Sequence, residues 1–268
     1  MEARFIVLLP DNPGKILSAT PLIRGLKKQV EESYIYVMVR SSFAWLIRGN
    51  PYVDEILTWQ GKPDEQIANV RDLLPDYFLN LDELKTYRRL QQKTRVLEFK
   101  VPKARKTETA IYADRIFKTV YLFDVEDDKQ GVDFIYPPFN PDWLPEKFLG
   151  GYVVLSLEAP FSGQRLTDDR LVELVSLIEK PLVVTGPAGE RELAERIGQR
   201  TGCTVFPACG DFPDPETASL ISASKAVIAY DSQWPGIVRS MGKPVLTLGD
   251  PGSGNLAESA VWIRKWFD

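Results

Sequence analysis

Short, continuously apolar runs recur along this chain, each followed by a turn and then by apolar residues at helical spacing. That alternation admits few folds. Residues 5–9, Phe-Ile-Val-Leu-Leu, are one such run, closed by Pro10-Asp11-Asn12-Pro13-Gly14. A strand apolar on both faces belongs inside a parallel sheet covered by helices. Ile16, Ala19, Ile23, Leu26 and Val30 then mark a helix. Pro21 interrupts it, so the helix either kinks there or restarts with Thr20 as its cap. Further strands are expected at 34–39, 55–59 and 77–81, with helices at 41–47, 63–74 and 110–123. The rhythm restarts with strands at 152–156, 181–185, 204–206, 226–230 and 244–248. The intervening helices are expected at 167–178, 215–224, 234–241 and 256–267, with another opened by Gly186-Pro187-Ala188-Gly189 and running to 201. Each series predicts a doubly wound parallel sheet, α/β in class.

A length of 268 residues fits two domains. The proline-rich stretch Tyr136-Pro137-Pro138-Phe139-Asn140-Pro141 lies within a connector at about 131–150, giving domains 1–140 and 141–268. Apolar content of 44% and charged content of 26% exclude a disordered or fibrous chain. A net charge of −4 argues against nucleic acid as a partner. No apolar run approaches the roughly 18 residues of a spanning helix. The opening Met1-Glu2-Ala3-Arg4 leads straight into a strand, unlike a signal peptide. Cys203 and Cys209 are too few for a disulfide framework and read as structural, which fits a reduced, cytoplasmic setting. Histidine is absent. Serine–histidine and cysteine–histidine nucleophiles and histidine-ligated metals are therefore excluded.

The polar residues that carry chemistry sit where strands end. Asp231-Ser232 stand between a strand and a helix, where free amides and the helix dipole favour an anion; an ordinary N-cap is the alternative. Gly14-Lys15 is no Walker loop, because Leu9 and Ile16 occupy the positions that need glycine and Ser or Thr. Lys15 at a helix start is mildly disfavoured by the dipole, which suits a phosphate or acidic-sugar contact as well as a solvated lysine. Arg165 reads as a phosphate partner or as surface charge. Residues 85–106 hold nine basic residues and one acid, Glu98, and read as a loop that steers an acidic ligand or as a solvated loop.

Residues 4–26, from the first strand through Gly14-Lys15 to Thr20-Pro21-Leu22-Ile23-Arg24, resemble the opening of glycosyltransferase family 9, which includes the ADP-heptose:lipopolysaccharide heptosyltransferases. That opening is a strand, a Gly-Asp turn and a helix carrying Thr-Pro-Ala-Leu-Arg. Asn50-Pro51-Tyr52-Val53-Asp54-Glu55-Ile56 is also similar to a family segment. Residues 226–245, with Asp231-Ser232-Gln233 and Gly242-Lys243-Pro244-Val245, resemble the family's strand, its Asp-Thr-Gly-Pro-x-His helix and its Gly-Lys-Pro-Val strand. So do Leu182-Val183-Val184-Thr185-Gly186 and the Glu190 that follows. The chain departs from the pattern at four places: Lys15 replaces the family's basic aspartate, Gly236 its histidine, Gln233 a glycine and Gln164 a lysine, with Arg165 adjacent.

The resemblance implies the GT-B architecture, two Rossmann-like doubly wound domains facing a cleft, with the acceptor on the N-terminal side and a nucleotide-sugar on the C-terminal side. It implies an inverting, metal-independent and cofactor-free transfer from an ADP-heptose-like donor to a lipopolysaccharide-type or other acidic glycan acceptor, in the cytoplasm, with peripheral association at the inner membrane face. Asp11 is expected to substitute as base and Lys15 to assist; a plain turn-forming aspartate is the alternative for Asp11. Gly14, Gln164, Arg165, Gly186, Glu190, Asp231, Ser232 and Gln233 are the expected substrate-binding residues. The rival expectation is a degenerate relative that binds nucleotide-sugar without transfer. An epimerase of the same shape is disfavoured by the missing histidines.

Overall fold

The computed structural model describes residues 3–62, 66–82, 97–102, 112–249 and 255–267. The chain divides into two compact units, Met1–Ile135 and Tyr136–Asp268.

In the first unit five parallel strands, β1 (Ala3–Leu8), β2 (Ser33–Arg40), β3 (Glu55–Trp59), β4 (Tyr77–Asn80) and β5 (Leu97–Lys100), lie in the order β3-β2-β1-β4-β5. Strand β1 is central, and Phe5 to Leu8 are fully buried, as the unbroken apolar run requires. Helices α1 (Pro13–Ser18), α2 (Thr20–Gln29), α3 (Ile67–Asp72) and α4 (Tyr112–Ile116) accompany the sheet. On one face Ile6, Leu8, Tyr36, Met38, Leu57 and Phe78 pack with Val70 of α3. Near the amino ends of β1 and β4, Phe123 meets Phe5 at 5.0 Å and Tyr77 at 4.8 Å, both edge to face.

Pro21 acts by restart rather than by kink: α1 and α2 are separate helices joined at Ala19. The capping residue of α2 is Ala19, not Thr20. The Thr20 hydroxyl instead donates to Leu17 O at 2.8 Å and accepts the Asp133 amide at 2.7 Å. One turn on, Arg24 is 1% exposed. Its guanidinium donates to both Asp128 oxygens at 2.8 and 2.6 Å, to Gly131 O at 2.9 Å and to the Asp133 carboxylate. Thr20 and Arg24 thus clamp residues 128–133 onto α2.

The second unit holds β6 (Val153–Ser156), β7 (Leu182–Thr185), β8 (Val205–Pro207), β9 (Ala226–Tyr230) and β10 (Val245–Leu248), all parallel, in the order β10-β9-β6-β7-β8. Counted within each unit, both sheets share one order, 3-2-1-4-5. The helices are α5 (Asp168–Ile178), α6 (Arg191–Thr201), α7 (Asp214–Ala223), α8 (Trp234–Ser240) and α9 (Leu256–Arg264). The Thr167 hydroxyl accepts the Arg170 amide and caps α5, with Asp168 and Asp169 in its first turn. Helices α5, α6 and α9 cover one sheet face through Leu171, Leu174, Ile178, Ile197, Ala260 and Ile263.

Three expectations change. The helix expected at 63–74 spans Ile67–Asp72, and residues 63–65 lie outside the described set. The helix expected at 110–123 is α4 followed by a 3-10 stretch, Phe117–Phe123, with residues 110 and 111 outside the described residues. The basic segment contains a strand, β5, whose alternating Leu97-Glu98-Phe99-Lys100 was obscured by the surrounding charge. The rest of that segment, 85–96 and 103–106, lies outside the described residues. Among the described residues no helix is long and apolar enough to cross a membrane.

Candidate functional site

An open parallel sheet leaves a crevice at the carboxyl ends of its strands where the connections diverge to opposite sides. With order 3-2-1-4-5, that point lies between β1 and β4 in the first unit and between β6 and β9 in the second.

In the first unit the chain leaves β1 as Leu9-Pro10-Asp11. Asp11 is held by Arg40, at the end of β2, through two hydrogen bonds of 2.6 Å, one to each carboxylate oxygen. The Arg40 guanidinium lies 4.3 Å from the centre of the Trp59 ring and also donates to Gln60 O at 2.7 Å. Asn12 caps α1 by accepting the Lys15 amide at 3.0 Å. Gly14 is half-buried, and its carbonyl accepts the Ser18 hydroxyl at 2.8 Å. The Lys15 ammonium sits 5.0 Å from the centre of the Tyr112 ring. The Tyr112 hydroxyl donates to Leu81 O at 2.8 Å. Asp82 follows; it is buried, and its amide donates to the Asn80 side-chain oxygen at 3.1 Å.

Asp11 thus joins Arg40 across the ends of β1 and β2.

In the second unit the loop after β6 crosses to the end of β9: the Phe161 amide donates to Asp231 O at 2.6 Å. Arg165 donates to Leu157 O at 2.6 Å and to Glu190 Oε1 at 2.7 Å, and lies 5.8 Å from the Tyr230 ring centre. Gln164 is exposed beside it. Gly186 has φ +149°, and a Cβ there would meet the Leu157 side chain at 3.2 Å; glycine lets the turn after β7 lie against the end of β6. Its carbonyl accepts the Gly210 amide at 2.9 Å. Asp231 is exposed, Ser232 is buried and Gln233 is half-buried at the start of α8. Among the described residues, no acceptor takes the amide hydrogens of these three residues. Consecutive free amides at a strand end make a concavity suited to an anion.

Two acids the sequence reading passed over stand here. Burial pushes the Glu158 carboxyl up, helped by the charge of Asp214 and opposed by Arg165. Burial also pushes Asp214 up, opposed by the hydrogen bond from Gln233, at 3.4 Å. Glu158, two residues beyond a strand end, was detectable as a polar residue at a ligand crevice; Asp214 looks like any first-turn helix acid. Cys209 is buried with its thiol pushed up to about 11 by burial, consistent with a packing role. Among the described residues no cluster of three or more potential metal ligands is present.

Compared by sequence, the chain matches no protein-family model and no curated protein. Compared by structure, it is similar to a glycosyltransferase family 9 protein from Veillonella parvula, with TM-score 0.69 and 16% identity over 91% of this chain and 80% of that one. The Escherichia coli heptosyltransferase WaaC with ADP superposes with TM-score 0.69 and 14% identity over 92% and 88% of the two chains. The E. coli ADP-heptose lipopolysaccharide heptosyltransferase II gives TM-score 0.63 and 16% identity over 92% and 84%. The chain has the GT-B fold of the family 9 glycosyltransferases. In this GT-B chain the expected substrate-binding residues divide between the units. Gly14 lies in the first, with the expected catalytic pair Asp11 and Lys15. Gln164, Arg165, Gly186, Glu190, Asp231, Ser232 and Gln233 lie in loops at the carboxyl end of the second sheet. The sequence reading missed Arg40, Trp59 and Asp82 in the first unit. Arg40 and Trp59 come together only through the pairing of β2 with β3, in which they are register partners.

Proposed function

We propose that this chain is a glycosyltransferase that takes a nucleotide-diphospho-sugar, of the ADP-heptose type, and transfers its sugar to an acidic glycan or glycolipid. The observation that carries the reading is the set of free amides at Asp231, Ser232 and Gln233, at the switch point of a GT-B sheet. An oxyanion would accept hydrogen bonds there that no acceptor among the described residues takes. Arg165, fixed by Leu157 O and Glu190, adds the nearby positive charge. Inversion without a metal follows if amides and guanidinium suffice to hold the departing diphosphate. The solved neighbours support the donor class: one WaaC structure holds ADP and another ADP-2-deoxy-2-fluoro heptose. Glu158 and Asp214, both pushed up by burial, oppose a dianion as long as they are charged, so donor affinity should increase as falling pH protonates them. An acceptor with phosphates on a lipid would suit the basic run at 85–106 and would bring the protein to the inner membrane face.

Thermal-shift screening with ADP, GDP, UDP and their sugars tests the reading. A ligand at a hundred times its Kd stabilises by about 2.7 kcal/mol, several degrees in a unit of this size. Absence of any shift at millimolar nucleotide removes the proposal. The rival, a binding protein without transfer, draws on the engagement of Asp11 by Arg40. Nucleotide binding with no release of nucleoside diphosphate in the presence of glycolipid acceptor decides for it.

A further inference from the structure

A donor of this class has three parts: nucleoside, diphosphate and sugar. The amides at 231–233 suit the diphosphate. We propose that Phe161, Glu158 and Asp214 hold the sugar, a neutral ring lying on the Phe161 side chain with its hydroxyls bonded to the two carboxyls. The inference rests on the glycosyltransferase reading and names the sugar subsite of that same site.

The aromatic ring is the first argument. Phe161 is 67% exposed, more than the other exposed large apolar residues of the second unit, Leu149, Val261 and Trp266. Leu149 precedes β6, and the other two lie in α9 or beyond it, whereas Phe161 follows the carboxyl end of β6. Its loop is tied down at three points. The Phe161 amide donates to Asp231 O at 2.6 Å. The Gly163 amide closes a turn on Pro160 O at 3.0 Å, with Gly163 at φ +72°. Arg165 reaches back to Leu157 O at 2.6 Å. A ring held in place before a ligand arrives costs little to order on binding.

The carboxyls are the second. Asp214 accepts a hydrogen bond from the Gln233 side chain at 3.4 Å, so it stands one side chain away from the free amides. Glu158 feels the charges of Asp214 and Arg165. Both acids are half-buried. Carboxylates beside a diphosphate oppose it, and another part of the same ligand has to offset that cost. Hydroxyls do so, because a carboxyl accepts from them when charged and both accepts and donates when protonated. A uronic sugar would bring one more like charge, so the ring is neutral.

The sheet beneath is the third. Val153, Leu155 and Leu157 pack with Leu182 and Val184 in the core under α5, α6 and α9. Alternation sends Ser156 and Thr185 to the opposite face. That face carries α7, which Asp214 begins: Tyr152, of the same parity as Ser156, donates its hydroxyl to Leu220 O of α7 at 2.7 Å. Ser156 pairs with Thr185 on one side and Ala229 on the other, a row of small buried residues at the carboxyl end of the sheet. Thr185 is 3% exposed, and its hydroxyl has no hydrogen-bond partner among the described residues. A buried hydroxyl left unpaired is rare and costly, and here it offers a polar ligand one more bond.

Connectivity within the donor decides for sugar over base. The backbone of Phe161 is bonded to that of Asp231, which places the residue beside the diphosphate amides. The transferred sugar is bonded directly to the diphosphate, whereas a ribose separates the base from it.

The experiment is calorimetric titration of full-length protein with ADP, GDP and UDP, and with ADP-heptose, ADP-glucose, GDP-mannose and UDP-glucose. The conjugate that binds most tightly and its own nucleoside diphosphate are then titrated into Phe161→Ala, Glu158→Ala and Asp214→Ala, with melting temperatures recorded. Phe161→Ala should weaken the conjugate by about fivefold to tenfold and leave the nucleoside diphosphate within about threefold. Glu158→Ala and Asp214→Ala should move the two ligands in opposite directions. The nucleoside diphosphate binds more tightly as a repelling charge goes, and the conjugate binds about tenfold more weakly as its hydroxyls lose a partner. Equal effects on the two ligands, or no effect on either, overturn the subsite. If a carboxyl variant fails to fold, Phe161→Ala decides, because its ring supports no core. A parent that binds nucleoside diphosphates but none of the conjugates overturns the subsite and spares the nucleotide site. A parent that binds neither overturns the donor reading, and the subsite with it.

Discussion

Replacing Arg24 with methionine should destabilise the first unit by about 3 kcal/mol while leaving nucleotide binding intact. The side chain is 1% exposed and forms hydrogen bonds to two carboxylates and a carbonyl. Removing one member of a buried ion pair costs about 3–5 kcal/mol, because its partner is left charged and dry. Here the partners are not fully dry: the Asp128 and Asp133 side chains are 26% and 18% exposed, so water recovers part of the loss and the low end applies. For a unit spanning Met1–Ile135, each kcal/mol moves the midpoint by roughly 3–4 °C, giving a fall of about 10 °C. Circular dichroism melts at several pH values check both size and cause. The hydrogen bond from Arg24 lowers the Asp128 carboxyl to about 2 from 3.8, against an opposing effect of burial. A carboxyl lowered by folding stabilises above its unfolded pKa, and that contribution is lost as pH falls through the folded one. Asp133, pushed up by burial, protonates first. The gap between parent and variant should therefore narrow as pH falls, first as Asp133 protonates and then as Asp128 does, and be nearly closed by about pH 2. A fall of less than about 3 °C at pH 7, or a gap indifferent to acid, would refute the clamp. Lost nucleotide binding well below the melting point would show that Arg24 serves a ligand instead.

Arg165→Ala should weaken nucleoside diphosphate binding by about tenfold or more in calorimetric titration, since it removes the cation beside the free amides and releases Glu190 to repel the ligand; unchanged affinity places the phosphates elsewhere. Gly210→Ala should lower thermal stability by about 2 kcal/mol or more, because the residue has φ +80° and its new Cβ would fall 2.7 Å from that of Ala188; an unaltered melt would show that the turns after β7 and β8 part freely.

Most of the architecture was legible because period and punctuation agreed. Residues 5–9 and 226–230 are apolar without interruption, and both form fully buried strands. Pro21 left two outcomes open, and only the surroundings chose between them: Arg24 and Thr20 hold α2 against residues 128–133, more than a hundred positions away. Strand β5 was hidden for a related reason. Its alternation is four residues long inside a run of lysines and arginines, and pairing with β4 outweighs local composition. The candidate site was legible where it is local, as at Gly186, Asp231 and Ser232. It was not where strand order assembles it. Nothing near Asp11 in sequence announces Arg40, and nothing near Glu158 announces Asp214.

Each half of the chain is wired alike, and in each the fourth strand ends in an aspartate beside the first: Asp82 after β4 and its Leu81 step, Asp231 after β9. One is shut away from water and the other lies open. The same topological address is thus dry in one half and wet in the other. Because neither address depends on helix length or loop composition, the surrounding sequence is free to drift far while the layout of the chemistry stays put.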